Sequence, residues 1–193
     1  MLAILLAFIP WILFFGLYNG NAPLAVLLAG AGTMLLVAGD IRKKKPVKIL
    51  PLGGLIFFIA VGIVLITGSL NGAVSTAVYL LAQAVLAIIA LVSILLGKPF
   101  TMQYARDDVP EIYWGHPLFV STNYHLSWVW FGLFCINFAV PASGVFMSIS
   151  YPSAVNYTVP VLTLLFGAWY NSWYVKKERE RQTLISTNTR KEL

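Results

Sequence analysis

Six apolar runs fill most of this chain, and short connections join them: Leu2–Tyr18, Leu24–Gly39, Ile49–Thr67, Ala73–Leu96, Leu118–Val140 and Val155–Val175. No Asp, Glu, Lys or Arg lies deep in any run. Apolar runs of about 17–25 residues are the lengths that cross a bilayer as helices. Hydrocarbon offers backbone groups no partners, so only helices and closed barrels satisfy them there. The expected fold is therefore all-α. It is a polytopic helical membrane protein with six transmembrane helices, or five if the first does not span.

Composition agrees. Only 10% of the 193 residues are charged and mean hydropathy is +0.82, against about 25% charged in a globular domain. No stretch outside the runs is long enough for a second core. Residues 1–175 read as a single transmembrane domain and 176–193 as a charged cytoplasmic tail. The start, MLAILLAF, has no basic segment and no A-x-A-like cleavage site follows, so a retained first helix is expected.

The charges set the orientation. The loop after the second run holds Arg42, Lys43, Lys44, Lys45 and Lys48. The loop after the fourth holds Lys98 and Arg106, and the tail holds Lys176, Lys177, Arg179, Arg181, Arg190 and Lys191. These are all 13 basic residues, and the seven acids lie on the same side. Bases flanking spans stay cytoplasmic, so both termini are expected in the cytoplasm. A net charge of +6 is thereby explained without nucleic acid. The four consecutive bases Arg42–Lys45 can also attract anionic lipid.

The pattern within the runs is informative in places. Pro10 interrupts the first, which reads as tilted, bent or partly interfacial. Trp11 and Tyr18 suit either an interface or buried packing. Asn19–Pro23 and Gly68–Gly72 are turns by their chemistry. Ser75, Tyr79 and Gln83 recur every four residues and make a polar stripe expected to face other helices. Pro141–Ala154 reads as a loop or shallow re-entrant piece, and the tail as flexible at its end.

Two candidate sites emerge. The first is in the membrane: Gln83, Asn123, His125, Ser127 and Asn137. At 100° per residue, Asn123, Ser127, Trp130, Phe134 and Asn137 share one line of the fifth helix, with His125 opposite. Both faces carry polar groups, so this helix is expected to be surrounded by others. Asn123 and Asn137 are about 21 Å apart by helix rise and read as separate interhelical clasps, with a polar lining for a lipid head group or solute as the alternative. His125 reads as a buried imidazole bonded to a neighbouring helix, with a proton relay as the alternative. The second site is the loop with Lys98, Gln103, Arg106, Asp107, Asp108, Glu111, Trp114 and His116. There Arg106 reads as a local ion pair with its neighbouring acids, and Tyr113 and Trp114 suit an interfacial stretch.

Several chemistries find no footing. A haem between two helices needs histidines on both, and the other runs have none. One cysteine, Cys135, makes neither a disulfide framework nor a four-cysteine zinc site. A zinc site at His116 would need Asp107, Asp108 or Glu111 folded back onto it, and no spacing requires that. There is no P-loop, G-x-S-x-G or H-E-x-x-H. No cofactor and no metal are expected.

Residues in several places resemble a known family. These are Phe8–Tyr18 (FIPWILFFGLY), Gly97-Lys98-Pro99, Pro110 with Trp114, Asn123 and Asn137 with Trp128 or Trp130 between them, and Asn156-Tyr157. The pattern is similar to the bacterial intracellular septation protein A family, also called inner membrane-spanning protein YciB. It follows the family's order along nearly the whole chain. It departs at Ala7, where the family usually has an acid, and over residues 103–119. The resemblance implies a protein of the bacterial inner membrane in envelope maintenance and septation, acting through lipid or through division or envelope-synthesis membrane proteins, without catalysis. A homo-oligomer stays open. The alternatives are a small transporter, lipid flippase or channel lined by Gln83, Asn123 and His125, and a membrane enzyme using His116 and His125 with the Asp107–Asp108–Glu111 cluster.

Overall fold

The computed structural model describes residues 2–69, 71–150, 152 and 154–191, with side chains between 3 and 181. Helices α1 (Leu2–Leu17), α2 (Ala22–Arg42), α3 (Ile49–Ile66) and α4 (Gly72–Leu95) come first. A short α5 (Phe100–Ala105) and a 3-10 turn (Glu111–Tyr113) precede α6 (Pro117–Phe146) and α7 (Val155–Lys191). Among the described residues there is no strand. Four helices are long and apolar enough to cross a membrane: α2, α3, α4 and α6. α1 is shorter, at 16 residues, and α7 mixes aromatic and polar residues through its first half.

The turns set the helix ends by local chemistry. Asn21 accepts a hydrogen bond from Leu24 N at 3.0 Å, and Asn71 accepts one from Val74 N at 2.9 Å. Both are side-chain caps on otherwise orphaned helix donors. α4 closes at Gly97, whose φ is +71°. Gly97 N reaches Ile94 O and Lys98 N reaches Ser93 O, both at 3.0 Å, the paired bonds of a Schellman ending that requires a left-handed residue. α2 ends the same way with Lys44 N on Ile41 O and Lys45 N on Asp40 O, although the left-handed position there is Lys44, at φ 53°.

α1 is the hub of the bundle, not an interfacial strip. Ile4, Phe8, Trp11, Phe14 and Tyr18 are all buried, against α2, α3, α5 and α7. Trp11 lies 5.0 Å from Phe58 and 5.7 Å from Phe57, ring to ring, and Phe8 stacks on Trp130 at 4.9 Å. The exterior is apolar: Leu35, Ile66, Leu95 and Phe146 are each more than 70% exposed. A water-facing surface seldom carries such a coat; a lipid-facing one must.

Two expectations are corrected, and the helix of the last run continues into the tail. Residues 141–146 are helix, because α6 runs through Pro141 to Phe146. A proline inside such a helix costs one backbone bond and is tolerated where neighbours make it good. The tail is helical as far as Lys191; Lys and Glu are good helix formers, and Lys176–Glu180 and Arg181–Glu178 pair along it. The last two residues lie outside the described ones. Finally, α6 is not surrounded. It packs on α4, α5 and α7, and the face with Ser121, His125 and Trp128 is exposed.

The described charges gather at one end. Lys45 meets Asp107, and Glu178 and Arg179 of α7 line a cavity with Asp108 and His116. The opposite end is tied by uncharged groups. Asn19 Nδ2 donates to Tyr157 Oη at 2.8 Å, and Tyr18 Oη reaches Ser75 O at 3.4 Å.

Candidate functional site

The segment between α4 and α6 reads as loop in the sequence, but half of it is bundle. Phe100, Thr101, Met102 and Tyr104 of α5 are buried. Ser93 Oγ accepts from Phe100 N at 2.9 Å and donates to Ala90 O at 2.7 Å. Thr101 Oγ1 donates to Asn123 O at 2.8 Å, so the 2.8 Å contact with Ser127 Oγ takes its proton from Ser127. Gln103 bridges two helix ends. Its Oε1 accepts from Ile49 N at 2.8 Å, and its Nε2 donates to Lys98 O at 3.0 Å. Lys48, the residue before α3, gives no side-chain cap, and Gln103 replaces it.

A charge cluster locks the loops together. Lys48 Nζ lies 2.9 Å from Asp40 Oδ1 and 3.1 Å from Asp107 Oδ2, and Lys45 Nζ lies 2.6 Å from Asp107 Oδ1. Burial alone would push the Asp107 carboxyl up, but the two ammonium groups outweigh it and hold it below the usual range. Burial alone would push Lys48 down, but Asp40 and Asp107 outweigh it and raise it. Burial pushes the Tyr104 phenol far up, and Asp40 and Asp107 add to this. Asp107 and Lys48 are therefore fixed charges near neutral pH and Tyr104 a fixed neutral phenol, so none of the three is a proton carrier.

Arg106 does not pair with its neighbouring acids as expected, because Asp107 is turned to the lysines. Its guanidinium lies over Trp114 at 4.9 Å and reaches Met102 Sδ at 3.6 Å. Its buried Nε has no partner. Trp114 Nε1 donates to Val109 O at 2.9 Å, which fixes the ring. Glu111 opens the 3-10 turn and is exposed. His116 caps α6, its Nδ1 accepting from Leu118 N at 3.3 Å. Asp108 and His116 share a cavity of about 760 Å³ with Glu178 and Arg179. The second candidate site thus divides into a structural tie (Gln103, Asp107), a cation over an indole (Arg106, Trp114), an exposed Lys98, and the Asp108–His116 mouth.

The intramembrane candidates are also separated. Gln83, Asn123, Ser127 and Asn137 are buried. Asn123 is not an interhelical clasp through its side chain; Nδ2 donates to Phe119 O of its own helix at 2.7 Å, and its carbonyl does the bridging. Asn137 is a clasp: Oδ1 and Thr163 Oγ1 of α7 are 2.9 Å apart. His125 is exposed, not buried. Its Nε2 lies 2.8 Å from Tyr170 Oη, and its ring stacks on Tyr174 at 4.3 Å. It ties α6 to α7 from outside.

Gln83 differs from the rest. It is 1% exposed, and neither its Oε1 nor its Nε2 has a hydrogen-bond partner. It lines a cavity of about 340 Å³ between α1, α4, α6 and α7, together with Asn137 and Thr163. The remaining walls are largely apolar, with Phe8, Trp130 and Leu164 among them.

Sequence reasoning passed over Ser93, Thr101 and Thr163. All three are hydroxyls near helix ends or inside apolar runs, where a lone Ser or Thr ordinarily bonds its own helix and carries no further signal. Among the described residues, no three metal-ligating side chains converge. No family model, no curated protein and no solved structure matches the chain.

Proposed function

We propose that this chain is a six-span protein of the bacterial inner membrane, both termini cytoplasmic, that serves envelope maintenance or septation through lipid and protein contacts rather than catalysis. One observation carries the contact reading: a set of polar side chains within the helices is spent on holding helices together. Ser93, Thr101 and Ser127 seat α5, Asn137 holds α7, and Tyr79 Oη donates to Asn156 O at 2.9 Å. An enzyme would keep a nucleophile and a base free and facing one another. His116 and His125 instead cap a helix and stack on tyrosine. The grouping of Lys45, Asp107, Glu178 and Arg179 at one end supports the orientation. The resemblance of Phe8–Tyr18, Asn123 and Asn137 to the septation protein A family supports the envelope role.

Deletion of the gene tests it. The reading expects envelope defects, measured as sensitivity to detergent and osmotic shock, and rescue by the intact gene. An unaltered envelope overturns the role. Cysteines placed at Gly20, Gly68 and Ser148 should react with an impermeant reagent from outside the cell, and one at Lys44 should not.

A second reading, a small transporter or flippase, is favoured by the unpartnered amide of Gln83 in its cavity. Purified protein in liposomes separates the two. Flux of a labelled solute or lipid would favour transport, and inert vesicles would favour contacts.

A further inference from the structure

A cavity of about 520 Å³ lies where the α2–α3 loop, the end of α4 and α5 meet. Four cations line it: Lys45, Lys48, Lys98 and Arg106. Asp107 lines it too, but Asp107 is shared by Lys45 and Lys48, and Asp40 is given to Lys48. Lys98 and Arg106 have no carboxylate partner among the described residues. Lys98 is exposed, and the buried Nε of Arg106 has no acceptor. Arg106 is held in place by Trp114 and Met102, which line the same cavity, so its guanidinium is fixed in the wall before any anion arrives.

Apart from Ser93 and Gln103, the remaining walls are largely apolar. Leu52 of the first turn of α3 and Leu96 at the end of α4 line the cavity, and they are 43% and 67% exposed. Both sit where their helices leave the apolar zone. A soluble anion has no use for such walls. An amphiphile with a phosphate at the mouth and a chain along α3 and α4 uses both parts. Basic pockets between spans on the cytoplasmic side suit anionic head groups.

We propose that this cavity binds the phosphate head group of an anionic phospholipid through Lys98 and Arg106. The proposal rests on the contact reading and names one of its partners. An ammonium and a guanidinium left over after the internal acids are spent make the site electropositive. The planar guanidinium can offer two donors to a phosphate.

The test uses the full-length protein in phosphatidylcholine nanodiscs carrying a small amount of spin-labelled phosphatidylglycerol or spin-labelled phosphatidylcholine. The readout is the ratio of the two motionally restricted fractions. The wild type should prefer phosphatidylglycerol, by on the order of fivefold for each of the two bases. Lys98→Gln with Arg106→Gln should bring the ratio near one. Lys43→Gln with Lys44→Gln removes the same charge from the same end but not from the cavity, and should leave the preference intact. If the double variant at Arg106 unfolds, Lys98→Gln alone, an exposed side chain with no bond to lose, should still cut the preference several-fold.

A wild-type ratio of one would overturn the site. An equal loss in the Lys43–Lys44 variant would reduce it to diffuse surface charge. Displacement of the lipid signal by millimolar glycerol phosphate would make it a soluble-anion site and end the lipid assignment. Solute flux in the liposome assay would sink the contact reading while leaving the lipid ratio untouched. Inert vesicles with a ratio of one would sink the lipid site alone.

Discussion

Tyr79 of α4 donates its hydroxyl proton to the Asn156 carbonyl of α7 across 2.9 Å. That carbonyl is the one Pro160 leaves without a partner, because residue 160 has no N–H to return to residue 156. A proline in one helix and a phenol in another thus complete one backbone bond between them. The pair explains why α7 can carry Pro160 beside an apolar cavity. It also explains why α4 keeps a tyrosine at position 79 of its polar stripe.

Removing the phenol should therefore expose the proline's defect. Tyr79→Phe is expected to lower stability by about 1–3 kcal/mol, the cost of an orphaned buried acceptor. In a Pro160→Ala background, the alanine N–H can serve Asn156, and the same change should cost well under half as much. Reversible unfolding in mixed micelles measures both legs of the cycle. Equal costs in the two backgrounds would show that the hydroxyl does not act through this carbonyl.

The Lys45–Asp107–Lys48 cluster has a defined pH window. Asp107 has a folded pKa below its ordinary value of about 3.9. Its contribution is complete above that ordinary value and is lost as pH falls through the folded one. Lys48 has a folded pKa above its ordinary value of about 10.4. Its contribution is complete below that value and is lost as pH rises through the folded one. Asp107→Asn should cost roughly 1 kcal/mol across the plateau. The gap from wild type should close below about pH 4. Thermal midpoints of the two proteins over pH 3–8 would check this. A gap that persists in acid would mean that Asp107 acts through its shape and not its charge.

How much of this was legible beforehand depended on how local the physics is. The helices follow from apolar runs and from caps such as Asn21 and Asn71, which act within four residues. The common face of Asn123, Ser127, Trp130, Phe134 and Asn137 follows from helix periodicity, and all five are buried. Periodicity does not say what lies opposite. His125 looks like an interior residue because a histidine in a span usually needs company. Its company, Tyr170 and Tyr174 of α7, sits at the rim. α5 was hidden for another reason. Six residues give no period, and only the partners Ser93, Thr101 and Ser127 reveal that the segment is seated. Residues 141–146 were hidden by Pro141, a good loop signal in water and a weak one in a helix among helices.

Lys44 offers a way to stabilise the protein. It occupies the left-handed position that closes α2, at φ 53°, where an L side chain costs about 1–2 kcal/mol. Glycine relieves that strain but loosens the unfolded chain by about 0.5–1 kcal/mol. Lys44→Gly should therefore raise stability by a net amount of up to about 1 kcal/mol. Lys44 takes no part in the described ion pairs, so no charge contact offsets the gain. Lys44→Ala, which keeps the strain, should show no such rise under the same unfolding conditions.

Gly167 of α7 packs directly against Trp130 of α6. A Cβ on Gly167 would lie 2.6 Å from the Trp130 ring, far inside contact distance. Trp130 cannot swing away freely, because Phe8 stacks on it at 4.9 Å and Phe134 lies 5.7 Å off. Gly167→Ala should thus force the helices apart and cost about 1–3 kcal/mol, as overpacking does. The strain should spread to the Asn137–Thr163 clasp one turn away, which disulfide trapping between Asn137→Cys and Thr163→Cys can report. Trimming the obstacle separates packing from backbone effects. In a Trp130→Leu background the alanine should be tolerated, its cost falling below about 1 kcal/mol and trapping efficiency recovering. A penalty unchanged by Trp130→Leu would place the strain in α7 itself and not at this crossing.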